Sequence, residues 1–239
     1  RPPFSFWYHF GLEKFPAERH ANATLQFHRK FRTDIVKVMS DFPYPKPPGN
    51  WYDPVVVDNP FPEQIRALEI IRNGLNGTAY FVETIFNPWN VAEKLSSKDE
   101  VQKLKAEKPQ VLLDALEAIA KSEASHARRA IATGASGIFL AIANAGDGIL
   151  TEPEYAKFSE PFDKMVLEAA AGAPMNTLHL HGAKIFLDRF WKGWKASVVN
   201  YSAHGTGVGI AAVRSKYGGV IMGGIDEKNY RTLTPEQLK

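Results

Sequence analysis

The chain has 239 residues, a length typical of one large domain. Hydrophobic residues make up 44% and charged residues 23%, enough for a large core without the polar excess of disordered chains. The net charge is only +3, and Lys and Arg are interleaved with Asp and Glu, which argues against nucleic-acid binding. Cysteine is absent, which excludes disulfides, a thiolate nucleophile and cysteine-ligated metal centres within these residues.

Membrane attachment is not expected from this sequence. No apolar run approaches the roughly 20 residues that span a bilayer, and no signal-peptide core follows Arg1. We therefore expect a cytoplasmic protein without a membrane partner, a setting with which the lack of cysteine agrees. Residues 234–239 read as the capped first turn of a helix, which predicts further structure downstream.

The second half of the chain has a regular pattern in which apolar β-type runs alternate with helical spacing. The apolar runs are 138–142, 177–181, 197–201 and 220–222, and the stretches with helical spacing are 152–171, 183–194 and 207–217. This alternation predicts a parallel sheet covered by helices.

The first half is less regular, and we expect both halves to form one domain over residues 1–239. Residues 4–10 read as a buried aromatic strand and 79–85 as another strand, whereas 20–38 and 98–122 have helical spacing. The proline-rich segment 43–60 suits neither a helix interior nor a central strand. We expect it to be a long functional loop over the mouth of the barrel.

Candidate functional residues are sought where strands end, because parallel α/β folds place their chemistry there. Asp41 ends the segment Met39-Ser40-Asp41-Phe42 and is a candidate for stabilising a developing cation or accepting a proton. A loop-capping role for Asp41 accounts for the same spacing.

Two histidines follow the run at 177–181. His179 and His181 are two residues apart on a predicted strand, so both imidazoles face one side, which suits a metal ion. Gly182 allows the backbone to turn directly afterwards. The alternative is one packed core histidine and one polar residue at the strand end.

Two further strand ends carry polar residues. Tyr201 and His204 are candidates for hydrogen bonding a ligand or donating a proton, and a plain loop with Ser202 or Thr206 as helix cap is the alternative. Asp226 follows paired glycines and is a candidate for binding ligand or for capping the next turn.

Taken together and in order, these segments resemble the uroporphyrinogen decarboxylase superfamily over nearly the whole chain. The segments that carry the resemblance are Arg1-Pro2-Pro3-Phe4, Met39-Ser40-Asp41-Phe42, 133–135, 145–151, 158–162 and 222–226. The resemblance implies a TIM-type (β/α)8 barrel whose last strand and helix lie beyond residue 239, a catalytic role for Asp41, and a homodimer. The implied substrate-binding residues are Arg1, His9, Phe86, Asp147 and Asp226.

The resemblance leaves the reaction open between two enzyme activities. The first, which is the leading hypothesis, is a lyase of the kind used in porphyrin biosynthesis, a decarboxylase without a cofactor. In this activity Asp41 stabilises the protonated intermediate of a tetrapyrrole-like or smaller carboxylated substrate. The family's decarboxylases carry two substrate-binding arginines in a segment that here reads Tyr8-His9-Phe10-Gly11-Leu12, so both arginines are replaced.

The second activity is a methyltransferase that uses zinc and a corrinoid. The family's methyltransferases carry a zinc-binding His-x-Cys-Gly segment, and here the corresponding residues are His179, His181 and Gly182. A zinc ion bound by an imidazole in place of the thiolate activates a thiol substrate less well but still acts as a Lewis acid. A third hypothesis, from another class, is a non-catalytic protein that binds a tetrapyrrole or a corrinoid.

Overall fold

A single parallel sheet organises the chain in the computed structural model, which describes residues 1–226 and 228–237. Within these residues the sheet has six strands in sequential order, curled into part of an α/β barrel. The strands are β1 (Ile35–Val38), β2 (Tyr80–Phe86), β3 (Gly137–Ile142), β4 (Thr177–Leu180), β5 (Val198–Tyr201) and β6 (Val220–Met222). The predicted fold class is therefore confirmed, and all carboxyl ends of the strands lie at one edge.

Helices connect and cover the strands. They are α1 (Ala17–Phe31), α2 (Pro62–Leu75), α3 (Pro88–Leu95), α4 (Lys98–Glu107), α5 (Pro109–Ala132), α6 (Glu152–Phe158), α7 (Glu160–Glu168), α8 (Ala203–Thr206) and α9 (Ile210–Arg214). None of the helices in the described ranges is both long and apolar enough to cross a bilayer. At the end of the described chain, Thr234 and Gln237 cap each other reciprocally, as the sequence predicts for a helix start, while 238–239 lie outside the described residues.

The prediction of a buried strand over residues 4–10 is wrong. The segment has no regular secondary structure, and Phe6 and Tyr8 are more than half exposed. It lies beside β1, held by the amide of Asp34, which donates to the carbonyl of Phe4, and by the hydroxyl of Ser5, which donates to the carbonyl of Ile35. Because the segment forms no strand of the sheet, some of its aromatic side chains pack against the sheet and others are exposed to solvent.

Two helix predictions are also wrong. The helix predicted over 20–38 stops at Phe31, because Arg32 adopts the left-handed conformation that ends a helix, and the β-branched run that follows forms β1. Residues 183–194 form only a short 3-10 turn, Leu187–Phe190. The helical spacing there reflects isolated packing residues, such as the buried Phe190.

The alternation of side chains along each strand separates two faces of the sheet. Val36, Val38 and Phe81 pack against α1 and α2 on the outer face. On the opposite face, the ring of Phe139 stacks on that of His179 with centroids 5.0 Å apart. Trp7 covers this inner face, with its ring 5.4 Å from that of Phe139, so the N-terminal segment partly shields it from water.

A buried hydrogen-bond network fixes β2 to the helices outside it. Glu83, fully buried, accepts from Gln64 of α2 at 2.9 Å and lies 2.9 Å from the Nε2 atom of His126 on α5. Gln64 also donates to the carbonyl of Met39, just after β1. This network sets the position of the chain immediately before Asp41.

The proline-rich segment 43–60 is ordered by contacts with α5. The amide of Val57 donates to the hydroxyl of Ser122, and Asp58 accepts from Ser125 and pairs with Arg129. Tyr44 is buried in the main core. The segment is irregular, as its prolines predict, and its placement over the barrel mouth stays a prediction.

Lys37 is the one charged side chain among the inner-face contacts described above. It is 8% exposed, and its ammonium lies 4.6 Å from the ring centre of Phe139 and 5.3 Å from that of Trp7. Burial lowers the pKa of Lys37 to about 7, although the negative charges of Glu83 and Asp41 oppose the shift. The aromatic faces and a contact with the sulfur of Met39 replace only part of the lost hydration.

This burial predicts a pH-dependent stability. Above about pH 7 Lys37 is neutral in the folded protein, whereas in the unfolded chain it stays protonated to about pH 10.4, so stability rises with pH between these values. We expect Lys37→Met to stabilise the protein at pH 6. The difference in free energy of unfolding between this variant and the wild type should decrease by about 2–3 kcal/mol between pH 6 and pH 9.

Urea unfolding of both proteins at the two pH values measures this difference. Lys103→Met, which replaces an exposed lysine of α4, is the matched control and should show no such change. If Lys37→Met raises the free energy of unfolding by the same amount at pH 6 and pH 9, the lowered pKa of Lys37 in the folded protein is wrong.

Candidate functional site

The carboxyl ends of β4, β5 and β6 hold a linked set of polar groups centred on His179. The Nδ1 atom of His179 lies 2.5 Å from the Oδ1 atom of Asn200 on β5. The Nδ2 atom of Asn200 donates to the carbonyl of Met222 on β6 at 2.9 Å, which leaves the Oδ1 atom as an acceptor. His179 therefore carries its proton on Nδ1, and its Nε2 atom presents a lone pair.

The protonation state of His179 follows from the same surroundings. Desolvation by burial lowers the pKa of His179 to about 4, and the positive charges of Lys37 and His181 act in the same direction, while the bond to Asn200 opposes them. The imidazole is therefore neutral at physiological pH. A neutral imidazole whose other nitrogen is hydrogen-bonded is the form in which histidine binds metals.

His181 lies beside His179 at the end of β4. The two ring centroids are 5.9 Å apart, and His181 is exposed. Two imidazoles on one tetrahedral zinc ion, with Zn–N about 2.0–2.1 Å, place their ring centres about 5–6 Å apart. Gly182 turns the chain directly afterwards with φ +118°, as the sequence predicts. The pair thus fits two positions of a metal site.

Further metal ligands are not found beside this pair. Among residues 1–226 and 228–237, no group of three or more His, Asp or Glu side chains is arranged to hold a metal ion. The pair therefore supplies two donors of the three that protein zinc sites usually require.

Asp41 forms a second polar centre, after the end of β1. Its side chain is 4% exposed, and its Oδ1 atom lies 2.7 Å from the Nδ1 atom of His9. Its Oδ2 atom lies 3.6 Å from the Nε2 atom of His20 and has no hydrogen-bond partner among the described residues. The carboxylate is thus enclosed by two imidazoles.

His20 differs from His9 in its exposure. His20 is completely buried on α1, between the rings of Phe10 and Phe42, and neither of its ring nitrogens has a hydrogen-bond partner in the described part of the chain. Desolvation lowers the pKa of His20, against the attraction of Asp41 and Glu83. The side chain of His9 is 61% exposed. Of the two imidazoles, His9 is the one that a substrate can reach.

Lys37 interacts electrostatically with both centres. Its charge lowers the pKa of His179, and the charge of Asp41 raises the pKa of Lys37. The N-terminal segment also joins them, because Trp7 contacts the ring of His179 and His9 contacts Asp41. Trp7 and His9, two residues of one segment, therefore connect the two centres.

The other candidate residues lie apart from these centres or have structural partners. Tyr201 is buried, and its hydroxyl donates to the carbonyl of Val208. Asp226 caps its own turn through the amides of Lys228 and Asn229, and His204 is an exposed residue of α8 whose charge acts on Asp226. These contacts agree with the alternative roles given above, a plain loop after β5 for Tyr201 and His204 and a turn cap for Asp226.

Arg1, Phe86 and Asp147 also lie outside the two centres. Arg1 forms an ion pair with Asp34 through both terminal nitrogens of its guanidinium. Phe86 ends β2 and packs against the main core, and Asp147 is exposed in the turn after β3. Substrate binding by these residues remains an expectation.

Sequence reasoning missed three residues of the site: Lys37, Asn200 and His20. Lys37 interrupts the apolar run Ile35–Val38, which is a signal once that run is assigned to a strand instead of a helix. Asn200 pairs with His179 in the β4–β5 register, which requires the strand alignment. His20 carries no local signal, since its burial depends on how α1 packs.

Comparison with known proteins agrees with this architecture. The family described as uroporphyrinogen decarboxylase (URO-D) matches residues 50–239. No curated protein matches the chain.

Two solved structures share the fold. A methyltransferase from Methanosarcina mazei is similar with a TM-score of 0.73 and 16% sequence identity, over 89% of this chain and 71% of that one. A protein from Listeria monocytogenes described as a vitamin-B12-independent methionine synthase has a TM-score of 0.53 and 7% identity, over 88% of this chain and 70% of that one. At these identities the likeness concerns the fold alone. By its match over residues 50–239, the chain belongs to the uroporphyrinogen decarboxylase family.

Proposed function

We propose that this protein is a metal-dependent methyltransferase of its family, with His179 and His181 supplying two ligands of the metal. The observation that carries the proposal is the chain of hydrogen bonds from His179 through Asn200 to the carbonyl of Met222. This chain holds the Nε2 lone pair of a neutral imidazole ready for coordination. The M. mazei relative named as a methyltransferase adds support from the same fold.

The metal would act as a Lewis acid toward a thiol substrate and favour its thiolate. The protein's own residues would orient the site: Asn200 fixes the ring of His179, and Trp7 and Phe139 limit the access of water to it. A corrinoid is the methyl carrier that the family resemblance implies. In this proposal a corrinoid would carry the methyl group and a thiol-containing small molecule would accept it.

Metal binding provides the test of this site. We expect the full-length protein to bind one Co²⁺ or Zn²⁺ ion per chain, with the visible absorption of tetrahedral Co²⁺ as the readout. His179→Ala and His181→Ala should abolish the signal. Asn200→Ala should weaken binding about 10–100-fold, since it removes the group that orients His179.

His204→Ala, which removes an exposed histidine outside the pair, serves as the matched control and should change nothing. Circular dichroism checks that each variant is folded. Binding unaffected by His179→Ala, or no binding by the wild-type protein, would contradict the proposal. Metal and corrinoid binding without any methylated product would instead favour the non-catalytic hypothesis.

Decarboxylation remains a second candidate because of Asp41. A buried carboxylate with an oxygen that lacks a hydrogen-bond partner is costly, and such groups are often kept for function. The absence of the two family arginines at Tyr8 and Leu12 weighs against a substrate with many carboxylates.

Release of CO₂ from carboxylated porphyrinogens distinguishes this candidate. If decarboxylation is the reaction, Asp41→Ala should abolish CO₂ release while Ser40→Ala, at the neighbouring position, retains it. Full turnover by a folded Asp41→Ala variant would exclude Asp41 as the catalytic group.

A further inference from the structure

The contact between His9 and Asp41 has the geometry of an oriented acid–base pair. The Nδ1 atom of His9 and the Oδ1 atom of Asp41 are 2.7 Å apart, a distance typical of a charge-assisted hydrogen bond. The carboxylate is almost completely buried, while the imidazole is 61% exposed. A buried carboxylate behind an accessible imidazole is the arrangement in which the carboxylate fixes the tautomer and the imidazole transfers the proton.

The surroundings of Asp41 direct it toward His9. Its second oxygen faces His20, which is 3.6 Å away, too far for a hydrogen bond, and whose ring is completely buried. The ring of Phe42 lies 5.7 Å from that of His20 and adds apolar surface beside the carboxylate. Among the described side chains, the imidazole of His9 is therefore the one hydrogen-bond donor available to Asp41.

We propose that His9 is the proton-transferring residue of this protein and that Asp41 is its positioning residue. The Nδ1–H group of His9 donates to Asp41, so the Nε2 atom carries a lone pair and faces the exposed side. When a substrate thiol or other acidic X–H group loses its proton, the Nε2 atom accepts it. The resulting imidazolium is stabilised by the carboxylate, and the proton later leaves to water.

This inference does not depend on the metal. It assigns Asp41 a role through His9 rather than direct contact with the substrate, and it applies to any reaction that takes place beside the N-terminal segment.

The tautomer of His9 provides a test that needs no substrate. In ¹⁵N-labelled full-length protein at pH 8.5, the ring-nitrogen shifts of His9, assigned by their loss in His9→Gln, should be those of the Nδ1–H form. Asp41→Asn offers an amide donor to the Nδ1 atom, so the same resonances should change to the Nε2–H form. Asp41→Glu, which keeps a carboxylate, should retain the Nδ1–H form.

The nucleophilicity of the Nε2 atom gives a second readout. Diethylpyrocarbonate, with peptide mapping by mass spectrometry, should modify His9 in the wild type at least about tenfold faster than in Asp41→Asn, in which the Nε2 atom carries a proton. Modification of His204, an exposed histidine outside this contact, should be the same in both proteins.

The outcomes separate this inference from the proposed function. An Nε2–H tautomer of His9 in the wild type, or no effect of Asp41→Asn on the rate at His9, would overturn the inference whatever the metal measurements give. If His179→Ala leaves metal binding unchanged, the proposed function fails, but the role of His9 as the proton-transferring residue is unaffected. Should Asp41→Asn fail to fold, the tautomer of His9 in the wild type decides, because the inference requires the proton on the Nδ1 atom and a lone pair on the Nε2 atom.

Discussion

The side-chain amide of Asn200 is the interaction on which the candidate metal site depends, because it links three neighbouring strands. It accepts from His179 on β4 and donates to the carbonyl of Met222 on β6. An amide has distinct donor and acceptor ends, so the bond to the backbone of β6 dictates which nitrogen of His179 is protonated. The orientation of one imidazole is thus determined by the parallel register of three strands. A one-residue slip of β5 would turn Asn200 to the outer face.

The same register gathers apolar and charged groups around that imidazole. Phe139 stacks on His179 and lies beneath the ammonium of Lys37, while Trp7 covers all three. Exclusion of water makes the charged forms of Lys37 and His179 unfavourable, so both bases are partly or wholly neutral near pH 7. A neutral amine and a neutral imidazole are electron-pair donors. The inner face is therefore suited to coordinate a cation or accept protons, and poorly suited to hold many carboxylates.

The sequence predicts the second half of the fold better than the first, for a physical reason. The runs that became β3, β4 and β5 are apolar and separated by regular spacing, so local pattern and tertiary structure agree. The segment 20–38 contains the greater part of α1 followed by the four-residue strand β1, and its helical period masks the change at Arg32. His179, His181 and Asp41 could be named from strand ends, but Asn200 and His20 matter through partners that are distant in the sequence.

The surroundings of Asp41 differ from those that the family resemblance implies. The resemblance implies a carboxylate that meets the substrate, whereas here the carboxylate is enclosed and its hydrogen bond goes to His9. His9 lies between Tyr8 and Leu12, the two positions at which the family's decarboxylases carry arginines. A guanidinium beside Asp41 could not release its proton to a substrate. An imidazole can accept and release a proton, which is the role that we propose for His9 with Asp41 as its positioning residue.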